Sequence, residues 1–156
     1  MPGPPRRLSL LPEKLAICRL EETAAVPDWG ARGGFWSVTR TGEELSVVCP
    51  EDRVPPGVKR EAGWRILMVE GPLDFSLTGI LASLTLPLAR EKVSVFALST
   101  YDTDYLLVKE EQLGEAIQAL RGEGYRVKRR FRVQGSRRKA QERRQKAKGK
   151  SQKAKR

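Results

Sequence analysis

The chain contains no histidine. That one absence removes Ser-His-Asp and Cys-His nucleophile pairs and every zinc site that depends on imidazole. Cysteine is nearly as scarce. Cys18 and Cys49, in AICRL and SVVCP, are the two in 156 residues and form no CxxC motif. Their apolar, strand-like surroundings suit buried free thiols in a reducing compartment, although spacing alone does not separate that reading from a disulfide. Neither GxGxxG nor GxxxxGK[ST] occurs, so the common phosphate loops are missing. The longest apolar run, SLTGILASLTLPLA, is too short and too rich in Ser and Thr to span a bilayer. MPGPPRR has no apolar segment behind its arginines, so no secretory signal is expected and the default is a cytoplasmic protein without a membrane partner. Catalysis would have to run on carboxylates, Lys or Tyr alone. The expectation is therefore a protein that is not an enzyme and uses neither metal nor cofactor.

Acid is what the C-terminal end lacks. The net charge is +11, but residues 1–125 hold 14 basic and 18 acidic side chains, whereas residues 126–156 hold 16 basic and one acidic. The body is mildly acidic, and the strongly basic balance belongs to the end of the chain, so it does not mark the fold itself as nucleic-acid-binding. GSRRKAQERRQKAKGKSQKAKR (135–156) has eleven basic residues and no aliphatic side chain larger than alanine. Such a segment is expected to be disordered. Two readings stand level. One is a solvated tail that aids solubility. The other is weak, salt-sensitive contact with RNA, DNA or ribosomes through Arg137, Arg138, Lys139, Arg143, Arg144 and Lys146. The segment has no aromatic residue to stack on bases, which argues against specific single-strand recognition by the tail.

Between these ends the apolar pattern is readable. LSLL (8–11), KLAICRL (14–20), FWSVT (35–39) and ELSVVC (44–49) read as short strands, with a Thr-Gly turn joining the last two. Prolines 55 and 56 prevent a regular helix in VPPGVKREAG. GWRILMVEG (63–71) reads as a buried strand. From Phe75 to Arg90, Leu77, Ile80, Leu81, Leu84 and Leu88 fall on one helical face, with Pro87 ending or bending the helix. VSVFALS (93–99) and DYLLVK (104–109) are strands. Leu113, Ile117 and Leu120 mark a second helix stopped by Gly122 or Gly124, and YRVKRRFRV (125–133) a last strand. Strand–helix–strand–strand–helix–strand predicts an α+β, ferredoxin-like βαββαβ fold: an antiparallel sheet with helices on one face.

The chain also repeats itself. FWSVTRTGEELSVVCPE (35–51) lies over VFALSTYDTDYLLVKEE (95–111) at a shift of sixty, placing Trp36 on Phe96, Thr39 on Ser99 and Val48 on Val108. Gly63-Trp64-Arg65 then falls on Gly124-Tyr125-Arg126 with one extra residue. The expectation is two tandem modules sharing one continuous body. The first, its helix after Leu20 shrunk to a loop, covers 8–63, and the second 64–134. Residues 1–7 and 135–156 are expected to be disordered.

Two polar clusters stand out. In EGPLDFSLTGILASL, Asp74 or Ser76 suits a helix N-cap, and residues 75–79 would offer free amides and a positive dipole end. In STYDTD (99–104), hydroxyls and carboxylates occupy six consecutive positions with no Asn-Gly turn to explain them. Helix capping and a polar hairpin account for each cluster separately. Converged, they would present amides on one wall and carboxylates on another, which fits a zwitterion such as a free amino acid.

The run GWRILMVEGPLDFSLTGILASLTLPLAREKVSVFALSTYDTDYLLVK resembles the ACT-domain family, in particular small bacterial tandem-ACT proteins related to CASTOR-type amino-acid sensors. FWSVTRTGEELSVVCPE resembles their first module, and the likeness covers roughly 8–128. The resemblance implies a regulatory, allosteric role: βαββαβ modules that pair side by side and bind amino acids at a module or subunit interface, with a second copy of the chain as partner. Carried onto this sequence, it points to Gly71, Leu73, Asp74, Phe75, Ser76, Thr78 and Gly79, to Ser99, Thr100, Asp102 and Asp104, and, in the first module, to Thr39 and Arg40. The basic tail lies outside the resemblance.

Overall fold

The computed structural model describes residues 6–131, so the residues expected to contact nucleic acid in the basic tail, from Arg137 to Lys146, lie outside the described residues. Among those residues, seven strands form one sheet. Strand β1 runs from Arg7 to Leu20, β2 from Ser37 to Arg40, β3 from Leu45 to Pro50, β4 from Lys59 to Val69, β5 from Val95 to Ser99, β6 from Asp104 to Lys109 and β7 from Arg126 to Arg129. The order is β2-β3-β1-β4-β6-β5, with β7 alongside β1.

Two long strands hold the halves together. LSLL and KLAICRL, read as separate strands, are one: β1 continues through a register shift between Leu10 and Lys14, the stretch that contains Pro12. Proline cannot donate to a ladder, so an irregular step is where it is tolerated. Strand β4 begins four residues earlier than the apolar run suggests. Its register against β1 slips between Trp64 and Glu61, at Gly63 with φ +77°, a bulge that glycine permits. The second half of β1 pairs with β3, while the second half of β4 pairs with β6. The shared strands join the two repeats without a linker.

The helices lie over the second repeat. Helix α1, Ile80–Arg90, and α2, Leu113–Gly122, bury Leu84, Leu88, Ala116 and Leu120 against Leu8, Leu10, Leu67, Val69, Leu106 and Val108 of the sheet. Pro87 lies buried within α1 and does not end it. Leu77, counted on the apolar helix face, falls outside α1 and is 41% exposed. The ferredoxin-like pattern would put the last strand beside the first strand of its own repeat. Here the first half of β1 is inserted between them, and β7 pairs with β1 in parallel, Leu8 opposite Val127. The alternation in RLSLL sends Leu8 and Leu10 into the helix-covered core and is compatible with this insertion, without choosing the partner strand. The rest of the ladder is antiparallel.

In the first repeat the helix positions hold single 3-10 turns, Asp28–Ala31 and Glu51–Arg53. Its small core gathers Ala16, Cys18, Leu45, Val47 and Cys49 under Trp29 and Val38. Both cysteines are buried and free. The Cys49 thiol is pushed up by its hydrogen bond with Cys18 and by burial. On the other face of the sheet, Leu15, Val48, Trp64, Ile66 and Leu107 form a third cluster. There the Phe35 ring, just before β2, lies 5.0 Å from Tyr105 of β6. In a flat sheet those strands would stand about 19 Å apart, so the sheet is strongly curled.

Candidate ligand site

The corner between β4 and α1 is built by close backbone contact. Leu73 N–H donates to Asp102 O at 2.7 Å, and the Thr103 hydroxyl donates to Val69 O at 2.5 Å. A Cβ on Gly71 would stand 2.8 Å from Asp102 O, so only glycine lets the 71–79 loop lie on the β5–β6 hairpin. The hairpin closes by Thr100 N–H to Thr103 O at 2.9 Å. Ser99 Oγ donates to Asp104 Oδ1 at 2.6 Å across its neck.

The loop does not enter the helix where capping chemistry suggested. Asp74 Oδ1 accepts from Ser76 N–H at 2.8 Å and from Ser76 Oγ at 2.5 Å, and Leu77 N–H reaches Asp74 O at 3.0 Å. This local Asp-Ser turn competes with helix, and it delays α1 to Ile80. Neither Asp74 nor Ser76 is the N-cap, and residues 75–79 are not the helix amides. The N-cap is Gly79, in the left-handed region at φ +76°, with no protein atom within 4 Å of a Cβ built there. Conformation, not crowding by the protein, selects glycine at this position. The amides left without intrahelical acceptors are those of Ile80, Leu81 and Ala82, since Ser83 N–H makes the first bond, to Gly79 O.

Loop, helix start and hairpin border an open cavity of about 330 Å³. It is lined by Leu73, Asp74, Phe75, Leu77, Gly79, Ile80 and Leu81 from one side, and by Ser99, Thr100, Tyr101, Thr103 and Asp104 from the other. The two sequence clusters therefore converge. Of the residues expected there, Leu73, Asp74, Phe75, Gly79, Ser99, Thr100 and Asp104 line the cavity. Gly71, Ser76 and Asp102 build its walls from behind, and Thr78 is exposed outside it. Thr39 and Arg40 lie on β2, in the other repeat. There Arg40 donates to Glu22 O and, at 2.6 Å, to Ala24 O, closing the corresponding corner with its own guanidinium.

Sequence reasoning passed over Leu77, Ile80, Leu81, Tyr101 and Thr103 as lining residues. Tyr101 carried a usable signal. It sits mid-hairpin, and its ring meets Phe75 edge-on at 4.9 Å, with the two residues 81% and 74% exposed at the cavity mouth. Electrostatically, the Ser76 hydroxyl and then its amide hold the Asp74 carboxyl below its ordinary range. In both Asp74 and Asp104 only Oδ1 is engaged among the described residues, leaving each Oδ2 to accept from an ammonium or guanidinium. Carboxylates on both sides and helix-start amides nearby can hold opposite charges at once. The described residues contain no group of three metal-ligating side chains, and no described helix is long and apolar enough to cross a membrane.

Comparison with known proteins follows the same outline. A family model for the ACT domain matches residues 59–122, and a model for an N-terminal domain matches residues 13–57. The "Cytosolic arginine sensor for mTORC1 subunit 1" of Bos taurus is 36% identical over 101 residues, covering 58% of this chain. The chain spans only 31% of that relative's length. The crystal structure of protein Atu0741 from Agrobacterium tumefaciens matches with TM-score 0.77 and 36% identity, over 84% of this chain and 96% of that one. The regulatory subunit of aspartate kinase from Thermus thermophilus matches with TM-score 0.50 and 10% identity, over 71% of this chain and 93% of that one, a likeness of fold alone.

Proposed function

The chain belongs to the ACT-domain family, and we propose that it is a non-catalytic regulatory module holding a free amino acid in the cavity between the 71–79 loop and the 99–104 hairpin. The observation that carries this reading is the convergence of Asp74, Asp104 and the start of α1 on one hollow of about 330 Å³. The unengaged carboxylate oxygens receive the ligand's cationic end, and the first-turn amides of α1 receive its carboxylate. Arginine leads the candidates. Two aspartates suit a guanidinium, and the bovine relative is named an arginine sensor.

Phe75 and Tyr101 stand exposed as a pair at the mouth. In this reading a second copy of the chain covers them and completes the site, so that ligand and interface stabilise each other. The signal is a change in that interface, passed to a partner that responds to it.

The test is a thermal-shift screen of the twenty amino acids at millimolar concentration, with Asp74→Ala as control. A ligand at ~100 times its Kd adds roughly 2.7 kcal/mol to the folded state. The expected outcome is one responsive amino acid, or a small group of them, silenced by Asp74→Ala. A flat panel overturns the proposal.

A further inference from the structure

Strand β7 forms a sheet edge that the cavity does not use. It lies parallel to β1, with Arg7 opposite Arg126 and Ser9 opposite Lys128, and no described strand pairs with its outer side. Leu8, Leu10 and Val127 face the helix-covered core, so alternation puts Arg7, Arg126 and Lys128 on the opposite face. Arg129 is on the helix side, beside Arg121 in the groove along α2. Arg130 N–H donates to Leu10 O at 2.8 Å and carries the ladder one residue further.

The charges along this edge are uncompensated. Lys14, Arg19, Arg65, Arg90 and Lys109 each meet a carboxylate within 4.0 Å, whereas other body cations such as Lys59, Arg60 and Arg121 meet none among the described residues, so what sets the β7 edge apart is the number of unpaired cations gathered on adjoining strands. Arg7, Arg126, Lys128, Arg129 and Arg130 are exposed, and none of them is in an ion pair among the described residues. The nearby acid, Glu70, has its Oε1 engaged by Ser9 Oγ at 3.0 Å. At the end of the strip stands Phe131, 83% exposed. The sequence beyond it adds eleven basic residues in 135–156.

We propose that the β7 edge is a docking strip for single-stranded nucleic acid. Arg126, Lys128 and Arg130 meet successive phosphates, Phe131 stacks on a base, and the basic segment that follows adds affinity without selectivity. Alternate strand residues advance about 6.7 Å, which lays cations in a straight row of the kind an extended sugar-phosphate chain can follow. An anionic bilayer fits less well. The strip carries one large apolar side chain, and residues 135–156 offer nothing aliphatic larger than alanine to bury in lipid. The folded edge thus supplies the aromatic platform that the tail itself lacks.

The experiment uses the full chain and a labelled oligouridylate of about 20 nucleotides, with binding followed by fluorescence anisotropy from about 50 to 200 mM salt. Arg126→Ala/Lys128→Ala/Arg130→Ala is expected to lower the slope of log K against log salt by about 2, since each single-strand phosphate contact contributes ~0.7. Arg126→Lys/Arg130→Lys keeps the slope, and an unchanged melting curve in each variant excludes a folding defect. Phe131→Ala is expected to weaken binding about tenfold with the slope intact. The inference is overturned if the triple alanine variant keeps wild-type affinity and slope. It is equally overturned if Phe131→Ala binds like wild type, or if phosphatidylserine vesicles bind and the oligonucleotide does not.

Discussion

The two repeats share a strand plan and differ at the corner where a strand turns toward the helix position. In the second repeat, β4 leads through a ten-residue loop into an eleven-residue helix, and the corner is hollow. In the first, β1 leads into a single 3-10 turn, and the Arg40 guanidinium fills the corner by bonding to Glu22 O and Ala24 O. Under the sixty-residue shift Arg40 stands where Thr100 lines the cavity. One repeat satisfies its loop carbonyls with a side chain of its own, and the other leaves polar groups turned toward a space. The same skeleton serves as scaffold in one place and as a site in the other. At the aligned position one corner carries an arginine, the last residue of β2, and the other a short hydroxyl side chain just after β5.

The comparison can be broken first at the level of stability. Leu84→Ala, in the fully buried face of α1, is expected to cost about 3 kcal/mol. Trp29→Ala, in the part-buried 3-10 turn that covers the first core, should cost about 1–2 kcal/mol. Because β1 and β4 run through both repeats, urea melts of both variants should show one transition with an unchanged m-value. Two transitions would mean that the repeats fold separately and that the shared strands do not couple them.

Glycine substitutions discriminate within the corner itself. Gly71→Ala forces a Cβ to within 2.8 Å of the Asp102 carbonyl, lifting the loop off the hairpin. It should cost about 2 kcal/mol and weaken any ligand response. Gly79→Ala meets no neighbour and suffers only its positive φ, about 1 kcal/mol. If both variants lose the same stability, the close seam is not what holds the two clusters together.

A swap then tests the arginine directly. Arg40→Ala removes two charge-assisted bonds at an exposed position and is expected to cost about 1 kcal/mol. Thr100→Arg should place a guanidinium in the second corner, leave the melting temperature within a few degrees, and abolish the amino-acid thermal shift. A Thr100→Arg variant that still responds to ligand would locate the ligand elsewhere.

Much of this architecture was readable because hydrophobic period and chain punctuation agree. The strands around Leu45–Pro50 and Asp104–Lys109 follow from apolar spacing, whereas the shrunken first helix was read from the sixty-residue repeat. Local hydrogen bonding was not readable in the same way. Asp74 and Ser76 are good N-cap residues, yet they bond to each other and postpone the helix to Ile80, and composition cannot choose between those outcomes. The insertion of β1 beside β7 was hidden for a different reason. RLSLL alternates properly for any half-buried strand, and only the pairing partner is non-local. The sixty-residue alignment also concealed a tighter hairpin: six residues lie between the paired Thr39 and Ser46, but four between Ser99 and Asp104. The site was legible as two clusters because each is polar without need. Of its aromatic rim Phe75 was named through the family resemblance, whereas Tyr101 was passed over although it sits within the STYDTD hairpin.

The smallest effect concerns the Asp74 turn, and it carries a sign. Hydrogen bonds from the Ser76 hydroxyl and amide hold the carboxyl below its ordinary value, so the folded state favours the ionised form. The turn is fully stabilised above the unfolded aspartate pKa of about 3.9. That stabilisation is lost as pH falls through the lower folded value. In an NMR titration the Ser76 amide should therefore move with a midpoint below the ordinary aspartate range, and Asp74→Asn should flatten the curve. The corresponding corner of the first repeat supplies the contrast, because Ala24 N–H bonds to the backbone carbonyl of Glu21 at 3.0 Å. Its amide follows no carboxylate and should stay still through the same range. If both amides titrate together, acid acts by loosening the whole sheet, and the second corner loses its claim to a locally organised carboxylate.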